Sequence, residues 1–482
     1  MSYHPSPIKT DRPPDYPLLQ RWSGQQDVIV NEHVSPVFDK HAGWRIVASS
    51  DIQRGHILCS VLKASVFSHR TAALSNHLAL SPEPDAAEHT LYLAACLLHE
   101  IRLGQSSEFW PWLQVLPRET IPLPTFWADE SICGQDGREA LAWLTGTEGE
   151  KELKRKDSEG LALDDVKAYF ETISSLMPRT DTFDTAPSLA DYLYAFSMVS
   201  TRGYVIDAYH LIALIPFVDL FNHSASNHTS LASDSCVCPT CGSLAACEHD
   251  TGDEDRIAHL SPAYVAQSQA EGNRVDMRAE RDVKAGEEIF SCYEEDVGDG
   301  KLLVEWGFLG REHAGSAVSW GPRDVLDADI GPAYMAIVSN GEVYSALDDL
   351  KGIDQWVHLP MDPGRFDVRH RGTLCLNLFV VAYLRALKSM PDSLEDLERG
   401  ILDVLRLVAG KGKATSLSAT SRVIDTLLAE KLSSMRDEGI GGEVQDASRS
   451  IPDRPLTKMA RTLAQDERHV LERVISKWRS LI

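Results

Sequence analysis

The stretch Ala213-Leu214-Ile215-Pro216-Phe217-Val218-Asp219-Leu220-Phe221-Asn222-His223-Ser224 is apolar over most of its length and then stops at Asn222-His223. A buried strand needs no such ending unless the chain then meets a turn or a ligand, because a buried amide or imidazole must find partners. A second stretch has the same build: Gly286-Glu287-Glu288-Ile289-Phe290-Ser291-Cys292-Tyr293. We expect the two to meet, so that the polar end of the first and the tyrosine of the second share one site.

Working outward, a chain of 482 residues suggests two or three domains. A hydrophobic content of 43% and a charged content of 24% are ordinary for a globular protein. No apolar run approaches the roughly 20 residues that span a bilayer, so no membrane partner is expected. Met1-Ser2-Tyr3-His4-Pro5 lacks a basic start and an apolar core, and a cytoplasmic or nuclear location is the expectation. The net charge of −24 argues against generic nucleic-acid binding, which draws its affinity from Lys and Arg on phosphates. It is compatible with a basic, Lys-containing protein partner, and equally with an acidic surface that serves solubility. The chain is expected to act as a monomer.

Prolines at 5, 7, 13, 14 and 17 make residues 1–30 an expected extended arm. Trp44-Arg45-Ile46-Val47-Ala48 reads as a strand, Asp51 to Gly55 as a turn, and His56 to Val61 as the next strand. Apolar spacing predicts helices over 88–103, 163–177 and 188–200, the last with Ser188 as N-cap. A strand over 275–280 follows a polar insert. Further helices are predicted over 367–389, 393–409, 417–438 and 457–480. The expected fold is α+β. A β-rich domain covers 31–320, with a helical insert over about 88–200 and a Cys-rich insert over about 224–270. An α-helical domain covers 321–482.

Of nine cysteines, four cluster as Cys236-x-Cys238-x2-Cys241-x5-Cys247, followed by His249. In an intracellular chain such a cluster points to metal before disulfides. Four thiolates, or three with His249, make a tetrahedral zinc set, expected as a structural staple for a segment with little apolar content. The alternative is a loop with unpaired thiols.

Five pieces, in order, resemble the SET-domain methyltransferases of the Rubisco large-subunit methyltransferase type. They are Gly43 to Gly55, Leu97-Leu98-His99-Glu100 with Phe109-Trp110, Tyr194 to Arg202, Ile215 to His223, and Gly286 to Tyr293 with Leu302-Leu303 and Gly307-Phe308. The resemblance covers roughly 40–310 and implies a SET fold followed by a helical substrate-binding domain. It implies S-adenosylmethionine as cofactor, held by Gly43, Trp44, Arg45, Glu100, Arg202, Asn222 and His223. It places Tyr293 as the catalytic residue beside the reacting nitrogen. The expected reaction is methyl transfer to a lysine of a protein substrate; a histidine target, or a catalytically silent SET fold that binds proteins, are the alternatives. The chain departs from the pattern at Arg45, where a second glycine is usual, at Glu294 after the tyrosine, and at Trp306. Taken alone, each residue also has a plainer role: Asn222-His223 as a satisfied turn, Tyr293 as core, and Arg202 and Glu100 as surface charges. Asp219 is expected to be a carboxylate that orders the turn.

Overall fold

In the computed structural model, the alternation predicted over 275–280 is a strand (Arg274–Ala279) whose Val275, Met277 and Ala279 are buried and whose intervening residues are not. The structure describes residues 16–39, 43–81, 83–155, 161–179, 186–250, 273–295, 297–310, 317–347, 349–360, 364–410, 415–437 and 454–481, with Arg256, 262–263 and 265–266. The N-terminal strands are β1 (Ile29–Val30), β2 (Val34–Asp39), β3 (Gly43–Ala48) and β4 (Ile57–Leu62). After a helical insert come β5 (Tyr204–Asp207), β6 (Leu211–Ala213), β7 (Thr229–Ser233) and β8 (Arg274–Ala279). They form an antiparallel sheet in the order β1-β4-β8-β7 and two antiparallel ribbons, β2-β3 and β5-β6.

Helix α1 (Tyr16–Gln25) occupies part of the segment expected to be extended. Leu19 and Trp22 are buried in the main core, and Trp22 Nε1 donates to the Glu108 carbonyl at 2.7 Å. Tertiary burial of these two side chains outweighs the proline signal; the prolines at 5, 7, 13 and 14 lie outside the described residues. The helical insert contains α2 (Ala86–Leu103), α3 (Glu130–Leu144), α4 (Leu163–Ser174) and α5 (Leu189–Arg202). Helix α2 starts at an N-cap, Asp85, whose side chain accepts from Glu88 N, and ends at Gly104 with φ 57°. Helix α5 starts at the predicted cap: Ser188 and Asp191 form a reciprocal capping box. The two helices pack together, and Tyr192 of α5 donates to the Leu91 carbonyl of α2 at 2.9 Å.

The C-terminal region is mainly helical, with α6 (Leu376–Ala386), α7 (Leu394–Ala409), α8 (Thr415–Ser434) and α9 (Pro455–Arg479). It also holds a sheet that periodicity did not reveal. Strands β9 (Ala317–Trp320), β10 (Val357–His358), β11 (Phe366–Arg369) and β12 (Thr373–Cys375) are ordered β10-β12-β11-β9. The helix predicted over 367–389 therefore begins only at Leu376. Gly372, at φ 76°, turns β11 back on β12, and short apolar runs satisfy strand and helix patterns alike. Buried Asp367 is held by His358 Nε2 at 2.8 Å and Arg365 Nε at 2.7 Å.

Helix α9 joins the two parts of the molecule. Leu456, Ala460 and Leu463 belong to the main core, while Val470, Leu471, Val474 and Trp478 belong to the C-terminal core. Its N-terminal N–H groups are received by buried Asp136 of α3, which accepts from Leu456 N at 3.1 Å, Thr457 N at 3.0 Å and Thr457 Oγ1 at 2.6 Å. A carboxylate at a helix N-terminus meets both the unpaired donors and the positive end of the dipole. Asp136→Ala is therefore expected to lower stability by about 2 kcal/mol, read as a reduced urea midpoint. An unchanged midpoint would show that this cap does not secure α9.

Candidate cofactor and target site

The two stretches quoted above do meet. Gly286 N donates to Ala48 O at 2.7 Å, Ala48 N to Glu287 O at 2.9 Å, and Ile289 N to Ile46 O at 2.7 Å. On its other side the same segment bonds to the end of the apolar run. Ser291 N donates to Asn222 O and Ser224 N to Ser291 O, both at 2.9 Å. Val47 lies antiparallel to Glu288 and His223 parallel to Ser291. Residues 286–293 are thus threaded between β3 and 222–224. Gly286, at φ 87°, makes the turn that brings them there.

The side chains tighten this arrangement. Asn222 Nδ2 donates to Trp44 O of β3 at 3.0 Å and to Glu288 Oε1 at 2.8 Å. His223 Nδ1 accepts from Tyr293 N at 3.1 Å, which places any proton of the neutral ring on Nε2. Burial holds the His223 imidazole below its usual range, so the neutral form prevails. Tyr293 donates its hydroxyl to the Phe221 carbonyl at 3.0 Å. Burial pushes its phenol up to about 12, against the opposing pull of Arg202, so it is un-ionised at neutral pH. Its ring packs against His223, Trp306 and Phe308, with centroids 5.2, 5.9 and 6.2 Å away.

Arg202, in the last turn of α5, donates from Nη1 to Asp219 O at 2.8 Å and lies 3.9 Å from Asp219 Oδ2. Trp112 Nε1 donates to the same carboxylate oxygen at 3.2 Å. Asp219 has the turn-ordering place expected of it. Burial pushes its carboxyl up to about 6, although Arg202 opposes this. These groups border a cavity of about 340 Å³ lined in part by Arg202, Tyr204, Asp219, Tyr293 and Trp306. Arg202 Nε is buried without a hydrogen-bond partner among the described residues.

The other residues singled out from sequence have different surroundings. Gly43 opens β3 at φ 74°, Trp44 supplies the carbonyl that Asn222 bonds, and the Arg45 side chain is exposed. Glu100 is buried and accepts from Ala73 N at 2.7 Å and Ser107 Oγ at 2.5 Å. Burial raises its carboxyl despite those two bonds. It ties the loop after α2 in place, and its hydrogen bonds do not reach Asn222, His223 or Tyr293. Sequence reasoning missed Glu288, Tyr204 and the aromatic box closed by Trp306 and Phe308. Tyr204 follows Arg202-Gly203 directly, and that proximity was the available signal.

In the Cys-rich insert, Cys238, Cys241 and Cys247 lie together with His249, with all donor atoms within 4.8 Å of one another. Cys236, expected as a ligand, is exposed and outside this group. Its carbonyl accepts from Arg256 Nη1 at 3.2 Å while the chain turns at 238–243, and His249 is the fourth member of the group.

The SET domain family model matches residues 43–294, which include β3, the Asn222-His223 turn and Tyr293. The chain belongs to the SET-domain family. Ribosomal lysine N-methyltransferase 3 of Saccharomyces cerevisiae is 23% identical over 358 residues, covering 63% of this chain and 61% of that protein. The chloroplastic [fructose-bisphosphate aldolase]-lysine N-methyltransferase of Arabidopsis thaliana is 22% identical over 289 residues, covering 60% and 51%. The matches thus span about six-tenths or less of the relatives' own length. The fold of this SET protein is that of the SET domain of LSMT bound to lysine and AdoHcy, with a TM-score of 0.54 and 17% identity over 97% of this chain and 92% of the other. Rubisco LSMT bound to AdoMet gives 0.53 and 15% over 97% and 92%. The agreement in fold reaches through the C-terminal region.

The Asp219 carboxyl moves from an ordinary 3.8 up to about 6 on folding. Between those values the folded state holds a proton that the unfolded state has lost, so stability falls as pH rises through that window. The full difference is roughly 3 kcal/mol. Asp219→Asn should flatten the fall in stability between about pH 4 and 6, measured by urea unfolding across that range. A slope identical to that of the unaltered protein would remove Asp219 as its source.

Proposed function

We propose that this SET protein is an S-adenosylmethionine-dependent methyltransferase that modifies a lysine side chain of a protein substrate. The observation that carries this reading is the cavity wall itself. A neutral, half-buried tyrosine hydroxyl, anchored on a backbone carbonyl, stands beside Arg202 and Asp219 at the end of the segment held by Asn222 and His223. The names of both curated relatives, lysine N-methyltransferases, support it.

The residues present fit the cofactor. The partnerless Arg202 Nε leaves guanidinium donors for a carboxylate, which Arg binds bidentately. Asn222, His223 and the backbone at Gly43-Trp44 would hold the rest of the molecule. Glu100 would act by holding the loop after α2, and exposed Arg45 through its backbone. When bound, S-adenosylmethionine supplies an electrophilic methyl group. The chain's own residues prepare the amine. A lysine, with pKa about 10.4 in water, is mostly protonated at neutral pH and unreactive. Entry into a cavity walled by Tyr204, Tyr293 and Trp306 removes water and favours the neutral amine. The Tyr293 oxygen, whose hydrogen is committed to the Phe221 carbonyl, is left as an acceptor for an amine N–H. Orientation by such acceptors, without a strong acid or base, is the contribution expected for an in-line displacement. The net charge of −24 suits a basic target segment.

Titration calorimetry with S-adenosylmethionine tests the reading. Saturable binding is expected below roughly 1 mM. Tyr293→Phe should keep that binding and slow methyl transfer about 10- to 100-fold, the loss of one positioning hydrogen bond. No heat at 1 mM cofactor would remove the proposal.

A further inference from the structure

The Cys-rich insert is unexplained by the methyl-transfer site. Its described residues bury few apolar side chains, chiefly Val237 and Leu244 besides Cys238. A segment of that kind needs something other than a hydrophobic core to hold its shape. What it offers is a built donor set.

Cys238-Pro239-Thr240-Cys241-Gly242 closes as a tight turn. Gly242 N donates to Cys238 O at 2.8 Å, Cys238 N to Ser243 O at 2.9 Å, and Gly242 has φ 71°. Cys241 Sγ lies 3.6 Å from Cys247 Sγ, and Cys247 Sγ lies 3.7 Å from His249 Nδ1. A disulfide would bring the sulfurs to about 2.05 Å. A tetrahedron of Zn–S bonds near 2.3 Å has edges of roughly 3.8 Å, and a shared Zn–N bond shortens them slightly. These two separations match ligands around a common centre, and all four donor atoms lie within 4.8 Å of one another. Cys3His is a zinc donor set, and tetrahedral S/N geometry selects zinc over harder cations.

A surrounding shell holds the donors. Asp250 Oδ2 accepts from Cys247 N at 2.6 Å. Buried Arg256 clamps Asp250 from Nε at 2.8 Å and gathers the carbonyls of Cys236 and Ser243 at 3.2 and 3.1 Å. Support of this kind accompanies metal sites, because it fixes the ligands in place.

The group sits against the β5-β6 ribbon. A Cβ at Gly242 would meet Tyr209 Cδ1 at 2.8 Å, so the turn lies flush on that ring. Arg70 lies 4.4 Å over the same ring and bonds Tyr209 O at 3.1 Å and Pro239 O at 3.2 Å. Buried Lys63 bonds Asp234 O at 2.6 Å and Asp207 Oδ2 at 2.7 Å. The elements reached in this way, β5 and β7, carry Tyr204, Val205 and Thr229 to Leu231 to the wall of the cavity.

We propose that Cys238, Cys241, Cys247 and His249 bind one zinc ion, which pins the insert on the β5-β6 ribbon and thereby fixes the target side of the cavity. The metal site stands on its own geometry; its effect on the target rests on the methyltransferase reading.

The first test is metal content and spectroscopy of the intact chain. Elemental analysis of protein purified without chelator should give one zinc per chain. Replacement by cobalt should give the visible bands of a tetrahedral thiolate-ligated ion, and His249→Ala should alter them while Cys236→Ser leaves them unchanged. Zinc-free protein with no cobalt spectrum, or a Cys241–Cys247 disulfide by mass spectrometry, would overturn the metal site. Spectral change with Cys236→Ser and none with His249→Ala would overturn the donor set. The second test compares His249→Ala with the unaltered protein, using calorimetry for S-adenosylmethionine and steady-state kinetics for a protein substrate. An increase of about 10-fold or more in the substrate KM with unchanged cofactor affinity is expected. Equal KM values would overturn the link to the target cavity, and absence of cofactor binding by both proteins would instead remove the methyltransferase reading while leaving the zinc result intact.

Discussion

Three pieces of chain, around residues 46–48, 222–224 and 286–293, depend on one another through a short set of backbone hydrogen bonds. The 286–293 piece is held between β3 and the end of the apolar run, because it bonds to each on opposite sides. Asn222 enforces this from within, with one amide nitrogen bonded to the Trp44 carbonyl and to Glu288. Tyr293 and His223 acquire their geometry from the same threading, since the imidazole accepts the tyrosine's own N–H. The residues that face the cavity are therefore a consequence of the backbone arrangement and are held by it, as preorganised groups must be.

A second constraint ties the C-terminal region to this centre. Helix α9 contributes its first turns to the main core and its last turns to the C-terminal core, and Asp136 of the helical insert receives its N-terminus. The C-terminal region is accordingly not an appendage joined by a linker.

Much of this was legible in the sequence. Abrupt change from apolar to polar at Asn222-His223 marked the site because a buried amide and imidazole demand partners, and the order of the motifs assigned the SET fold. The strand read over 275–280 is found at 274–279, and the Ser188 cap appears as read. The misses share a cause: each depended on contacts remote in sequence. Residues 16–25, part of the expected extended arm, are helical, with Leu19 and Trp22 packed on the core. The β11-β12 hairpin is distinguished from the start of a helix by its partners β9 and β10 and by the turn at Gly372. Cys236 and His249 were both open as the fourth member of the cluster, and the folded chain groups His249 with Cys238, Cys241 and Cys247.

The central claim is that the cavity beside Tyr293 delivers a lysine amine for methylation. The most direct measurement is transfer of radiolabelled methyl from S-adenosylmethionine onto an extract of cells lacking this protein, followed by mass spectrometry of the labelled band. The account predicts a labelled protein whose added methyl groups lie on a lysine nitrogen. Absence of label from an extract in which the purified chain is folded and binds the cofactor would contradict it, as would a methyl group found only on another type of residue.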